Sequence, residues 1–454
     1  MFTHLESQLA INGSNPKKLI EMKRFNLLYI FAVLFLFACK PNIDTPQPSA
    51  GGADFTSYIA VGNSLTAGFA DGGLYREGQK VAFPNLMAKQ MESAGGGEFT
   101  SPFFDEQHAN GSGYLRLAAI NEGSPVLESV TENLAYRDQE QRLIKYTDPI
   151  QNLGIPGMRL DLAFYAPFSQ ANNFFERLLP DGEQTTYFDF VAEHEHTFFS
   201  FWLGNNDVLG YATAGGVTTG PTSVLTDQSQ FATLYDNFLT ALTAGGQKGI
   251  VATIPDVTAI PFFTTVTIQA LLEGAKAASP ENADQIENIF IQDENAVVVG
   301  LPPGVRPATD EDLVVLPFMS AGLLGKPNSA GIPYGLHPLN PVEDQYILDK
   351  SEASTVQEYV NAYNEIIKNA ADKHDLALAD VYSYLNEVKG GVLVNGAGVS
   401  ATFITGGAIS LDGIHLTPKG NALIANLMIK AINEKYGAKL SSVDVNHYSG
   451  VRFP

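Results

Sequence analysis

Short apolar blocks alternate with amphipathic stretches along most of the chain. Tyr58 to Val61 is a brief apolar run that predicts a buried strand. Gly62 and Asn63 punctuate it, because both tolerate the backbone of a tight turn. A helix can begin at Leu65, which leaves Ser64 on a strand-to-helix turn. Thr197 to Leu203 is aromatic and continuous, the pattern of a strand covered on both faces, and Gly204-Asn205-Asn206-Asp207 ends it. Gly249 to Ile254 and Leu376 to Val381 predict two further strands. Helical spacing marks Val81 to Glu92, through Phe83, Leu86, Met87 and Met91. Gln228 to Ala244 carries Phe231, Leu234, Tyr235, Phe238 and Leu242 on one side, and Gly245-Gly246 stops it. Leu160 to Phe168, Asn173 to Leu179, Gln269 to Ala278 and Ser351 to Lys373 also predict helices. Thr417 caps a last helix, with Pro418 in its first position and Gly437 just past its end. Strands alternating with helices imply an α/β fold, a parallel sheet with helices on both faces.

Two stretches interrupt the alternation. Residues 71–148 contain Thr100 to Asn133, rich in Gly, Asn and Ser and without a sustained period. Residues 261–349 are dense in Pro and Gly, yet hold apolar runs at Ala296 to Leu301 and Leu313 to Phe318, too many apolar residues for a linker. Both read as insertions in one domain spanning 55–437, with 438–454 as a C-terminal extension. Between them Ile150 to Leu160 is an apolar run that ends in a Gly-marked turn.

Composition narrows the class. Hydrophobic residues make up 45% of the 454 and charged residues 17%, which is globular and not disordered. The formal net charge of −22 argues against a nucleic-acid partner, which needs a basic footprint. Cys39 is the only cysteine, so no intrachain disulfide can form. Met22-Lys23-Arg24 followed by the apolar Phe25 to Phe37 and by Leu36-Phe37-Ala38-Cys39 has the layout of a secretory signal. That ending resembles the bacterial lipobox, which implies lipidation of Cys39 and an anchor in a cell-envelope membrane, the outer one expected. Residues 1–39 are then leader and signal peptide, with either Met1 or Met22 as the start, and the Pro/Gly/Ser-rich 40–54 a flexible tether.

Four turns carry residue types suited to acyl transfer: Ser64, Gly157, Asn206 and Asp412-Gly413-Ile414-His415. In a parallel sheet the C-terminal strand ends share one edge, so turns far apart in sequence can converge there. A serine hydroxyl attacks a carbonyl carbon only if a base takes its proton. His415, with an ordinary pKa of about 6.5, is the natural base. Asp412, three residues earlier, can reach the other imidazole nitrogen and set its tautomer. The oxyanion of the tetrahedral intermediate needs fixed donors, for which the N–H groups of Ser64 and Gly157 and the side-chain amide of Asn206 are suited. The plainer alternative is that Asn63 or Ser64 only caps a helix.

Taken in order, Gly62-Asn63-Ser64-Leu65, Asn152-Leu153-Gly154-Ile155-Pro156-Gly157, Gly204-Asn205-Asn206-Asp207 and Asp412-Gly413-Ile414-His415 resemble the four blocks of the SGNH hydrolases, also called the GDSL-type esterases and lipases. The resemblance implies a three-layer flavodoxin-like fold, Ser64 as nucleophile with Asp412 and His415 as its partners, and an oxyanion hole from Ser64, Gly157 and Asn206. Asn63 departs from the family, which usually has Asp there. That bears on hydrogen bonding around the turn more than on the chemistry.

The expectation is an envelope serine ester hydrolase that acts on an O-acetylated carbohydrate or an acyl lipid, through an acyl-enzyme and without a cofactor or metal. The alternative is a non-catalytic lipoprotein that binds a glycan or lipid on a degenerate hydrolase scaffold. Glu193-His194-Glu195-His196 could place two imidazoles on one face of a strand, but it lacks a third ligand and reads as a solvated strand entrance. Trp202 reads as core.

Overall fold

The computed structural model describes residues 47–121 and 124–454. Cys39 and residues 40–46 of the tether lie outside them. Strands β1 (Tyr58–Gly62), β2 (Phe198–Trp202), β3 (Lys248–Ala252) and β4 (Ala377–Ala379) form a four-stranded parallel sheet in that spatial order. Register runs Tyr58 to Phe198 and Gly62 to Trp202. The segment around Asn152 lies along the open side of β1, with the Leu153 N–H donating to the Ala60 carbonyl at 2.8 Å.

All residues of β1 and β2 are buried, and they alternate between two cores. Ile59, Val61, Phe199, Phe201 and Val251 face helices α4 (Gln228–Leu242) and α5 (Lys350–Lys373). Tyr58, Ala60, Phe198, Trp202, Ile250 and Ala252 face α2 (Phe83–Glu92) and α6 (Pro418–Tyr436). Both faces of the sheet are therefore covered, as the continuous apolar run of β2 predicts. Two short helices start at strand ends, α1 (Ser64–Ala67) after β1 and α3 (Asn206–Thr213) after β2.

Several expectations need correction. Leu160 to Phe168 is not an α-helix, and only a 3₁₀ turn forms there, at Leu162–Phe164. A helix through Phe168 would need an N–H from Pro167, which has none. The helix at Asn173–Glu176 is one turn long and tightens into i→i−3 bonds at Leu178 and Leu179 before Pro180. Residues 100–133 are not all irregular, because Tyr114–Asn121 and Ser124–Val130 pair as an antiparallel ribbon. The helix Val381–Gly390 and the ribbon Val392–Val394 with Ala397–Val399 carry no assignment in the sequence analysis. Docked structure also begins inside the tether: the Gly52 N–H donates to the Tyr436 carbonyl at 2.7 Å, and Ala50 and Ala53 pack on the core.

The insertion 261–349 closes at its root, where Leu313–Val314 pairs with Ile347–Leu348 just ahead of α5. Asp349 and Glu352 form a capping box there: Asp349 accepts from the Glu352 N–H at 2.8 Å, and Glu352 accepts from the Asp349 N–H at 2.9 Å. Burial pushes the Glu352 carboxyl up to about 8, and the charges of Asp349, Asp344 and Asp293 add to the effect against the hydrogen bond from Asp349. A carboxyl that holds its proton more tightly when folded loses stabilising effect as pH rises from its unfolded value, about 4.3, to about 8. Glu352→Gln keeps the cap acceptor and removes the charge. Its melting temperature should therefore exceed that of the wild type by a margin that grows between pH 5 and pH 8. Thermal melts at both pH values test this, and a margin that stays constant contradicts it.

Candidate active site

β1 delivers Ser64 to the C-terminal edge of the sheet. Asn63 ends the strand, and its Oδ1 accepts from the Leu65 N–H at 3.1 Å, so it caps α1. Its Nδ2 is buried without a partner among the described residues. A Cβ at Gly62 would lie 2.1 Å from Thr66 Oγ1, so the turn leaves no room for a side chain there.

The sequence-distant residues meet at this turn. Ser64 Oγ stands 2.9 Å from His415 Nε2, and His415 Nδ1 stands 2.8 Å from Asp412 Oδ2. Burial alone would raise the Asp412 carboxyl, but the facing imidazole and the N–H groups of His415 and Ile414 outweigh it and hold the acid well below the usual carboxylate range. A charged carboxylate can only accept, so Nδ1 carries the ring proton and Nε2 is left to accept from Ser64. Phe69 packs against the imidazole with ring centroids 4.7 Å apart.

Asp412 is held from further off than sequence reasoning indicates. The Gly72 N–H donates to its Oδ2 at 2.8 Å and the Ser410 hydroxyl to its Oδ1 at 3.0 Å. Asp71 joins the same loop: its N–H donates to Ser410 Oγ at 3.0 Å, and its carboxylate accepts from the Leu411 N–H at 2.9 Å and the Tyr75 hydroxyl at 2.8 Å. Asp71 adopts φ +54°, a left-handed conformation that Asp tolerates better than most residues. The Asp71-Gly72-Gly73 turn is visible in the sequence, but its partners lie some 340 residues away and leave no local signal.

The two remaining blocks are bonded to each other, and the first of them reaches the end of β1, where the Ile155 N–H donates to the Gly62 carbonyl at 3.0 Å. Asn206 starts α3, and its Nδ2 donates to the Met158 carbonyl at 2.9 Å, next to Gly157. Gly157 has φ +79° and room for a Cβ, so its backbone conformation, not crowding, calls for glycine. Gly154 differs: its N–H already donates to Asn152 Oδ1 at 3.1 Å, and a Cβ would lie 2.4 Å from the Ala67 nitrogen. The N–H groups of Ser64 and Gly157 have no protein acceptor among the described residues. Ser64, His415 and Asp412 are thus joined in one hydrogen-bonded line, an arrangement able to move a proton from an alcohol.

A cavity of about 540 Å³ is lined by Ile120, Ala259, Met319, Phe403 and Ile404 together with Thr264, Thr265, Thr402, Thr405 and Lys389. Phe262, between the lining residues Ala259 and Thr264 in the chain, donates its N–H to the Gly413 carbonyl at 3.0 Å. Ile404, also in the lining, packs with Leu411, which precedes Asp412. His194 and His196 sit elsewhere, before β2, with ring nitrogens 2.7 Å and 3.0 Å from the carbonyls of Phe190 and Leu242. Trp202 is buried, and its Nε1 donates to the Thr253 carbonyl at 3.2 Å. No described helix is long and apolar enough to cross a membrane.

The GDSL-like lipase/acylhydrolase family model matches residues 58–428. No curated protein matches the chain. Among solved structures, LAE5, an alpha/beta hydrolase enzyme from the metagenome of Lake Arreo, Spain, is 14% identical, over 84% of this chain and 96% of its own, with a TM-score of 0.33. The lipase/acylhydrolase from Enterococcus faecalis is 11% identical, over 85% and 98%, at 0.31. The extracellular lipase from Streptomyces rimosus is 10% identical, over 84% and 99%, at 0.32.

Proposed function

The chain belongs to the GDSL-like lipase/acylhydrolase family and is a carboxylic ester hydrolase, and we propose that it works through an acyl-Ser64 intermediate on an ester with an extended acyl chain. The observation that carries the mechanism is the continuous hydrogen-bonded line from Ser64 through His415 to Asp412. His415 takes the hydroxyl proton as Ser64 Oγ bonds to the ester carbonyl carbon. The N–H groups of Ser64 and Gly157 and the Asn206 amide meet the oxyanion. As the tetrahedral intermediate collapses, the bond to the alkoxy oxygen breaks and His415 returns the proton to the leaving alcohol. Water, activated by the same imidazole, then hydrolyses the acyl-enzyme and releases the carboxylic acid. Ile120, Ala259, Met319, Phe403 and Ile404 in the cavity wall can receive an acyl chain, while Thr264, Thr265, Thr402, Thr405 and Lys389 there offer polar contacts to the rest of a lipid ester. The leader ending in Cys39 supports a lipid anchor in the bacterial cell envelope, which brings such a site to membrane lipids.

The test uses the domain from Gly51 onward with p-nitrophenyl esters from acetate to a long acyl chain. Activity should rise with chain length, and a fluorophosphonate should label the wild type but not Ser64→Ala. A preference for acetate would overturn the acyl-lipid assignment, and labelling of Ser64→Ala would overturn the mechanism. Asn206→Ala removes one oxyanion donor and should lower kcat roughly 10²- to 10³-fold while KM changes little. Steady-state kinetics on one ester decides this, and an unchanged kcat removes Asn206 from the oxyanion hole.

A further inference from the structure

We infer that Arg159 is a positioning residue that sets the remote oxyanion donor Asn206 in register with Ser64. The inference rests on the acyl-transfer mechanism proposed above. Arg159 is buried, two residues after Gly157, against the start of α3, which carries Asn206. Its guanidinium has five N–H groups, and all five are used. Nη1 donates to the Asn206 carbonyl at 3.0 Å and to the Thr222 carbonyl at 3.2 Å. Nη2 donates to Thr226 Oγ1 at 3.0 Å and to Asp161 Oδ2 at 2.9 Å, and Nε donates to Asp161 Oδ1 at 2.8 Å.

The start of α3 answers in kind. Asp207, wholly buried, accepts from the Leu160 N–H at 2.8 Å, the Asp161 N–H at 3.3 Å and the Thr226 hydroxyl at 2.7 Å. Asn206 donates through Nδ2 to the Met158 carbonyl. Residues 158–161 and 206–207 are therefore laced by bonds in both directions, and Arg159 grips the main chain of the donor residue Asn206 itself. A surface arginine would do as well if its task were solubility, and one carboxylate would suffice if its task were charge balance. A buried fork spent mainly on loop carbonyls and a hydroxyl fits neither task. It fits the control of a donor position, where an error near 1 Å can cost about 10²-fold in rate.

Lysine keeps the charge but offers three donors and no planar fork, so Arg159→Lys cannot hold both segments. It should lower kcat roughly 10- to 100-fold with KM nearly unchanged. The pH profile of kcat/KM should keep its shape, because the Ser64–His415–Asp412 line is untouched. Thr226→Val, nearly isosteric, removes one partner of Arg159 and should produce a smaller fall of the same kind, which keeps the test open if Arg159→Lys does not fold.

The decisive measurement is a double-mutant cycle with Asn206→Ala. If Arg159 acts through Asn206, then Arg159→Lys or Thr226→Val added to Asn206→Ala should cost less than about 3-fold more. Effects that multiply across the cycle, or a wild-type kcat in Arg159→Lys, overturn the inference. Failure of the underlying mechanism looks different, since Asn206→Ala and Ser64→Ala would then both keep full activity.

Discussion

Ser64→Ala is expected to lower kcat for p-nitrophenyl ester hydrolysis by about 10⁶, leaving only the rate supplied by binding and the oxyanion donors. The size of the loss follows from the chemistry. Without Oγ there is no acyl-enzyme, and water would have to attack the ester from a site shaped around an alcohol 2.9 Å from His415 Nε2. The fold should survive, because Ser64 Oγ makes no other hydrogen bond among the described residues and α1 is capped by Asn63. Stopped assays at high enzyme concentration, with a melt of the variant beside the wild type, measure both quantities. A variant with wild-type turnover would remove Ser64 from the mechanism.

Asp412→Asn should cost about 10⁴ in kcat, the scale seen when the acid of such a triad is made an amide. The carboxylate accepts from His415 Nδ1, from Gly72, from Ser410 and from two N–H groups of its own turn. An amide has one accepting oxygen for this set. If its NH₂ turns toward the imidazole it forces Nδ1 to accept, which puts the ring proton on Nε2, against Ser64. The depressed pKa of Asp412 also fixes a sign. The acid remains charged at any pH where the protein is assayed, so the acid limb of a pH–rate profile does not arise from its protonation. A limb that disappears in Asp412→Asn while high turnover persists would contradict this.

Sequence alone made most of the sheet and its flanking helices legible because their signals are local. Phe198–Trp202 is aromatic at every position but Ser200 because both its faces are covered. α4 stops where Gly245-Gly246 begins, and α6 starts at Thr417-Pro418. The four chemical blocks were legible for the same reason, since each is a short turn of distinctive residues. Contacts between segments were not. Arg159 could be any surface cation until its partners at 206, 222 and 226 come beside it. Asp71 meets Leu411 across 340 residues, and no period or spacing in the chain records that pairing. The ribbon Tyr114–Val130 was hidden differently, because its strands are mostly half-buried or exposed and alternate weakly.

Ser64 and His415 are separated by 351 positions. The order of synthesis therefore matters to a protein whose β1 must find β2 some 140 residues later and whose proposed base follows the nucleophile by 351. At roughly 5–20 residues per second, a ribosome has the serine in hand for about 20–70 s before the histidine exists. Through that interval the nascent chain has a nucleophile without a base and cannot cut an ester. The last helix to be made, α6, follows His415 directly and covers the sheet face at β4. On the proposed mechanism, hydrolytic competence thus waits for the synthesis of the Asp412–His415 turn, long after β1 and Ser64 have been made.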